Sequence, residues 1–382
     1  MSFIPPASDK IWTAIGLMSG TSLDGIDAAI LQTDGQNIVT PGLHVTVPYS
    51  DARRAQIRSI LGRTNAAEAE IAIIADALTQ DHAAAISLLL QKAALKAEDI
   101  DLIGFHGQTI FHDPKNGITR QIGTPAMLAR QFAVPVVADF RIADVRAGGQ
   151  GAPLIPFYHA ALARTAHCQT PVAFLNLGGV GNVTWVGAGP NDLVAFDTGP
   201  ANALIDDAVL QATGRRQDDG GMLASQGHVH TDIVQKWLAH PYFAAPPPKS
   251  LDRDAFKVDV AHLPLADRIA TLTAFTVQSV IAAFDHFPAP VRQLYVCGGG
   301  RHNATIMAGL AAGLKDVHVA PVEALGFDGD ALEAHGFAYL AVRSRLRLPL
   351  SLPTTTGVSR PLTGGCVTVP PGAACQDAAG GL

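Results

Sequence analysis

Two stretches of this chain open in the same way, and that repetition limits the fold more than any single motif does. Ile11–Met18, Ala28–Thr33 and Leu43–Pro48 read as three short strands joined by turn-forming residues, and Val172–Leu177, Asn182–Val186 and Leu193–Phe196 read as three more with glycine-rich connections. Helical periodicity follows the first trio over Ala52–Leu61 and Ala66–Lys96, then come buried strands at Ile100–Phe105 and Val134–Ala138. After the second trio the helical stretches are Asn202–Thr213, Leu265–Phe287, His302–Leu314 and Asp328–Arg345, with a strand at Gln293–Cys297. Three strands and then alternation, used twice, predict two α/β halves, each a mixed sheet flanked by helices. Element order alone carries this inference, because the halves share little sequence. The chain has 382 residues, more than the about 250–300 at which single cores stop growing, so a two-domain enzyme with its site in the cleft between domains is the expectation.

Composition narrows the function. Hydrophobic residues make up 48% and charged residues 16%, with 37 glycines and 25 prolines, which suits a compact α/β chain rich in short loops. Net charge is −6 and no basic run with interleaved aromatics occurs, so nucleic acid is not an expected partner. Cys168, Cys297, Cys366 and Cys375 form no CxxC pair, so neither a zinc site nor a disulfide framework is expected. The first ten residues lack a leader pattern, and apolar runs such as Ala83–Leu90 fall short of the ~20 residues that span a bilayer; the chain is expected in the cytoplasm, away from membranes. The stretch from Pro349 onward has few large apolar residues, and its end is expected to be disordered.

Three glycine-rich turns carry the chemistry. Between the first two strands, Gly20-Thr21-Ser22-Leu23-Asp24-Gly25-Ile26-Asp27 offers hydroxyls, backbone N–H groups and carboxylates, the donors of a phosphate loop with Asp24 or Asp27 for a magnesium-bound water; a plain hairpin turn has the same composition. Phe196-Asp197-Thr198-Gly199-Pro200-Ala201-Asn202 ends a strand in a carboxylate. Asp197 there is either a helix-capping residue or a general base, with a cap near Asn202. Cys297-Gly298-Gly299-Gly300-Arg301-His302-Asn303 joins a strand to a helix and admits either a nucleotide against bare backbone or only a tight turn; GxGxxG spacing is lacking. His106, Gln108, Asp139, Arg141, Asp144 and Gln150 lie at the ends of two predicted strands. A lone His is more often structural, and Arg141 either pairs with Asp139 or Asp144 or recognises a carboxylate, which favours an acidic sugar. Gly178 and Gly179 fall in a hairpin that turn geometry alone explains, and Glu333 is unremarkable by composition.

Together, GLMSGTSLDGID, FHGQTIFH, ADFRIADVRAGGQGAPL, NLGGVGN, FDTGPANALID, PPKSLDRDAF, VCGGGRHN and DALEAHGFAYLA resemble the anhydro-N-acetylmuramic acid kinases, a branch of the hexokinase, actin and heat-shock chaperone ATPase superfamily, from about Ile15 to Gly357. The resemblance implies two ribonuclease-H-like (actin-like ATPase) domains, placed at 1–140, with 346–365 as a candidate completion, and at 141–345, followed by a disordered tail at 366–382. It implies ATP-dependent, hydrolytic opening of 1,6-anhydro-N-acetylmuramic acid and its phosphorylation to N-acetylmuramic acid 6-phosphate, with release of ADP, in peptidoglycan recycling and amino sugar metabolism. Asp197 would activate the water. Gly20–Asp27, Gly178, Gly179, Gly298, Gly299, Gly300 and Asn303 would hold ATP, and Asp24 would hold Mg2+ through water. His106, Arg141, Gln150 and Glu333 would contact the sugar, in a protein that is usually a homodimer. Ala201 stands where family members commonly have Gly, and the hairpin is smaller than usual at Val180-Gly181. The competing readings are a kinase of the same fold acting on an ordinary sugar hydroxyl and a chaperone-like or cytoskeletal ATPase.

Overall fold

The computed structural model describes residues 10–372 apart from Thr21, Thr64 and Asp254. In chain order the elements are β1 (Trp12–Ser19), β2 (Gly25–Thr33), β3 (Val39–Pro48), α1 (Asp51–Ile60), α2 (Glu68–Ala93), β4 (Leu102–Asp113), β5 (Ile118–Ile122), α3 (Pro125–Phe132), β6 (Val136–Ala138), α4 (Ile142–Arg146) and α5 (Pro156–Thr165). They continue with β7 (Val172–Leu177), β8 (Val180–Val186), β9 (Leu193–Pro200), α6 (Asn202–Thr213), α7 (Met222–Gln226), α8 (Thr231–Leu238), α9 (Pro241–Ala244), α10 (Leu265–Ala283), β10 (Gln293–Cys297), α11 (Ala304–Gly313), β11 (His318–Pro321), α12 (Leu332–Arg345) and β12 (Cys366–Thr368). The chain forms two compact units, one of residues 1–165, 333–352 and 358–382, the other of residues 166–332 and 353–357.

In the first unit the sheet runs β12-β6-β4-β1-β2-β3, with β5 hairpinned onto the far half of β4. Strands β1, β2 and β3 are antiparallel neighbours, while β1, β4 and β6 run parallel. On one face α2 contributes Ile71, Ile74, Leu78, Ala85 and Leu89, spaced three, four and seven apart, to a core shared with Ile15, Leu17, Ile26 and Ile103. By length and apolar composition alone α2 would suffice to cross a membrane, yet more than half of its most apolar window is buried in this fold. Helix α12 comes within contact of bare strand backbone: a Cβ on Gly16 would lie 1.8 Å from the Ala334 carbonyl oxygen, and one on Gly104 2.3 Å from that of Phe337. Only glycine fits at either place.

The second unit repeats the pattern. Its sheet runs β11-β10-β7-β8-β9, with β7, β8 and β9 antiparallel and β7, β10 and β11 parallel. With the hairpin strand β5 and the edge strand β12 set aside, the order in both units is third, second, first, fourth, fifth strand, which is the ribonuclease-H-like arrangement. Its core joins Leu175, Val183, Phe196 and Val296 of the sheet to Ile205, Leu272, Val280 and Ile306 of the helices.

The unit limits differ from the expected domain limits. Residues 141–165 remain with the first unit, because α5 is buried along its whole length up to Ala163, and α12 belongs there through the glycine contacts. The expected tail at 366–382 begins with an ordered strand, β12, paired antiparallel to β6; its residues 373–382 lie outside the described residues.

Candidate active site

The turn after β1 is built around two hydrogen bonds to the Gly20 carbonyl, from Leu23 N–H at 3.2 Å and from the Gln108 side-chain amide at 3.2 Å. Leu23 adopts φ +60° with its side chain buried, a left-handed conformation that costs a leucine about 1 kcal/mol or more. Its carbonyl accepts from Arg54 Nε at 3.0 Å, and Asp24 C=O accepts from Tyr49 N–H at 3.1 Å. Ser22 and Asp24 are exposed. Gly25, Ile26 and Asp27 already belong to β2, paired with Pro48, Val47 and Thr46, and Asp27 Oδ1 accepts from Thr46 Oγ1 at 2.6 Å. The solvent-facing part of the expected phosphate loop thus narrows to Gly20–Asp24, with Thr21 outside the described residues. Among the described residues no group of three or more His, Cys, Asp or Glu side chains could hold a metal. An exposed single carboxylate such as Asp24 fits a hard cation coordinated mainly by ligand phosphates and water, not an all-protein cage.

His106, near the bend of β4, and Arg141, at the start of α4, form one bonded group. Arg141 donates from Nε at 3.2 Å and from Nη2 at 3.1 Å to His106 Nε2, and from Nη1 at 2.6 Å to the Gly151 carbonyl. An arginine is always a donor, so His106 Nε2 is the bare nitrogen and Nδ1 carries the proton, donated to the Gly107 carbonyl at 2.7 Å. Burial first, and then the Arg141 charge, hold the His106 pKa well below its usual value, so the ring is neutral. The 148–151 loop is braced in turn: Asp144 Oδ1 accepts from Gly151 N–H at 2.7 Å, and His112 Nε2 lies 3.0 Å from the Gln150 carbonyl. The Arg141 hydrogen bonds described go to His106 and Gly151. Gln150 and Glu333, the latter in the first turn of α12, are half-buried.

In the second unit Asp197 lies within β9, four residues before the N-cap position of α6, which Ala201 fills without a side-chain bond. Asp197 is thus no helix cap. Asn202 is no cap either; its amide donates to the Leu177 carbonyl at 2.8 Å. β9 is the outer strand of its sheet, and its open edge is covered by irregular chain. Asp197 N–H donates to Lys249 C=O at 3.0 Å, Leu251 N–H donates to Asp197 Oδ2 at 2.7 Å, and Tyr242 hydroxyl donates to Asp197 C=O at 2.5 Å. Asp197 itself is half-buried. Burial, and secondarily Asp197, push the Tyr242 hydroxyl well above its ordinary pKa, so it stays a donor.

The Gly178-Gly179 turn docks on the start of α6, its carbonyls accepting from the N–H groups of Ala201, Asn202 and Ala203 at 3.0–3.2 Å. At the end of β10, Gly298 takes φ +75°, and a Cβ there would lie 2.2 Å from Asn176 Oδ1. Gly299 is exposed and Gly300 buried. Arg301, next along, donates to Gly298 C=O, Glu323 and Asp330 at 2.8–3.0 Å, and a cavity of about 410 Å³ opens beside it, lined by Glu323, Gly326, Phe327, Asp328 and Asp330. Hydrogen bonding to Arg301 depresses the Asp330 carboxyl pKa. Asn303, expected to touch the nucleotide, caps α11, its Oδ1 accepting from Thr305 and Ile306 N–H at 3.1 Å.

Sequence reasoning named Asp197 but gave no role to Lys249, Leu251 or Tyr242, which hold it. Lys249 and Tyr242 are tens of positions from Asp197 and carry no spacing signal; only the PPKSLDRDAF stretch pointed to that region.

The family described as anhydro-N-acetylmuramic acid kinase matches residues 12–370. A protein of that name from Rhizorhabdus wittichii is 52% identical over 358 residues, covering 92% of this chain and 97% of the relative. One from Rhodospirillum rubrum is 52% identical over 360 residues, 94% of each chain, and one from Zymomonas mobilis is 49% identical over 361 residues, 92% of this chain and 98% of the relative. With the match running from the first residue of β1 past β12, through every turn described above, the chain belongs to the anhydro-N-acetylmuramic acid kinase family.

Proposed function

We propose that this protein transfers the γ-phosphoryl group of ATP to 1,6-anhydro-N-acetylmuramic acid while water opens the anhydro bridge, giving N-acetylmuramic acid 6-phosphate and ADP in peptidoglycan recycling. Asp197 takes a proton from water, whose oxygen bonds to the anomeric carbon as the bond from that carbon to the 6-oxygen breaks; the freed 6-oxygen accepts the phosphoryl group. The observation that carries this reading is the Asp197 carboxylate, half-buried on an outer strand with Oδ2 held by a backbone N–H instead of by a helix it would cap. A hydrogen bond to the ionised form keeps a carboxylate available as a base.

Gly20–Asp24 binds the ATP phosphates through backbone N–H groups and Ser22, and Gly298–Gly300 lies against the nucleoside. Asp24 would hold, through water, a Mg2+ brought in with the ATP phosphates, and that ion would supply charge neutralisation for the transferring group. Arg141 binds the sugar carboxylate, with Glu333 and Gln150 on its polar groups. His106, whose ring nitrogens are both engaged, supports Arg141 instead of meeting the sugar itself. Family membership carries the remaining parts of the reading, a cytoplasmic homodimer.

Incubation with Mg-ATP and a panel of sugars in 18O-labelled water, quenched rapidly and read by mass spectrometry, tests the proposal. The anhydro sugar is expected to gain one water and one phosphoryl group, with the label on the sugar and none in the phosphoryl group. Phosphorylation of hexoses but not of the anhydro sugar overturns it in favour of an ordinary sugar kinase.

A further inference from the structure

Lys249 has no part in the reaction as drawn, yet it stands beside the base. Its ammonium has three N–H donors and no acceptor, and two carbonyls receive it, those of Tyr242 at 3.0 Å and Phe243 at 3.2 Å; His286 Nε2 lies 3.2 Å from Nζ and itself donates to the Phe243 carbonyl at 2.8 Å. The rings of Tyr242 and Phe196 lie 4.8 and 5.5 Å from Nζ. With donors directed at two carbonyls of α9, the side chain acts as a tether.

What it tethers is the segment that brackets Asp197. The carbonyl of Lys249 accepts from Asp197 N–H, and two residues on, Leu251 N–H donates to Asp197 Oδ2. At the other end of the tether, Tyr242, whose carbonyl receives the ammonium, donates its hydroxyl to the Asp197 carbonyl. Asp197 is thus held at N–H, C=O and carboxylate by two pieces of chain, and the Lys249 side chain is the link between them. We propose that Lys249 is a positioning residue for Asp197: by tying the 249–251 segment to the carbonyls of α9, it fixes where the carboxylate points. The proposal rests on the reading of Asp197 as the base.

Burial pulls the Lys249 pKa down to about 8, so keeping an ammonium here carries a desolvation cost that an apolar side chain would not incur. Among the described residues, Tyr242 and His286 are the titratable groups packed against it, with Asp197 beyond the backbone it anchors. A small loss of aim at a reacting group costs up to about 10²-fold in rate, whereas substrate binding, made elsewhere, is untouched.

The test compares Lys249→Met, Tyr242→Phe, Asp197→Asn and the Asp197→Asn/Lys249→Met double variant, with kcat, both KM values and the pH profile of kcat. Lys249→Met is expected to lower kcat at least about tenfold with both KM values within about threefold. The acidic limb should also move to higher pH, because a loosened hydrogen bond to the ionised carboxylate raises its pKa. Tyr242→Phe should shift kcat and the limb the same way, and the double variant should be no slower than Asp197→Asn. An unchanged kcat in Lys249→Met, a loss that scales the whole profile without moving the limb, or losses that multiply in the double variant each overturn the proposal. If Lys249→Met does not fold by circular dichroism, Tyr242→Phe decides on the same criteria. Near-normal turnover in Asp197→Asn overturns the base assignment and this proposal together; a large Asp197→Asn loss beside a normal Lys249→Met overturns this proposal alone.

Discussion

A carboxylate on a strand edge serves as a base only while it stays ionised and aimed, and in the proposed reading the Leu251 N–H bonded to Asp197 Oδ2 serves both conditions. Asp197→Asn keeps the shape and removes the proton acceptor, so turnover should fall by ~10² or more while ATP still binds; calorimetry with a non-hydrolysable analogue and a turnover assay check the two halves. Arg141→Ala should raise the KM for the sugar about tenfold or more, the worth of a charge-assisted hydrogen bond to a carboxylate, with a smaller change in the KM for ATP. An unaltered sugar KM would remove Arg141 from the carboxylate role. The residues nominated by chemistry, Asp197 and Arg141, were legible because they end predicted strands. His106 was legible as a residue but not as a partner: that its ring takes hydrogen bonds from Arg141 depends on a contact across 35 positions, which no local pattern encodes.

At the scale of elements, the strongest signals were periodic segments, strand or helix, closed by glycine. Val172–Leu177, Gln293–Cys297 and Asn202–Thr213 match the structure residue for residue. The missed strands are β5, which is polar and only partly buried, and β11 and β12, of four and three residues, too short to show alternation. Strand β4 runs on to Asp113, past its apolar stretch, because pairing with β5 extends it. The triple-glycine turn after β10 yields a prediction that separates conformation from space. Gly298→Ala meets both the φ +75° conformation and Asn176 Oδ1 at 2.2 Å, and should cost about 3 kcal/mol or more. Gly214→Ala, with φ +73° and nothing within 4 Å, should cost about 1 kcal/mol. Thermal melting of both variants distinguishes them, and equal losses would show that crowding at Gly298 is relieved by movement.

Over the whole molecule, acid should act chiefly on the first unit. His82 and His159 are fully buried there, and burial lowers their pKa from 6.5 to about 4 and about 3. Below pH 6.5 the unfolded chain binds protons that the folded chain refuses, so stability falls as pH drops; at pH 5 each costs about 2 kcal/mol relative to neutral pH. Denaturant midpoints between pH 7 and 5 measure the slope, and His82→Gln should flatten it by about 1 kcal/mol per pH unit. A slope unchanged by that substitution would mean the site titrates normally.

The division into two α/β bodies was legible because the trio of strands recurs, whereas its limits were not, since they depend on which sheet α5 and α12 cover. The second unit closes late in the chain. Thr354 donates its hydroxyl to the Leu193 carbonyl at 2.5 Å and accepts from Ala195 N–H at 3.1 Å, so part of the rim of β9 waits for residues 353–357. During synthesis, then, a nascent chain on the ribosome holds that rim unpaired until residues 353–357 have been made, and a translational stall before them leaves both bodies unfinished at once.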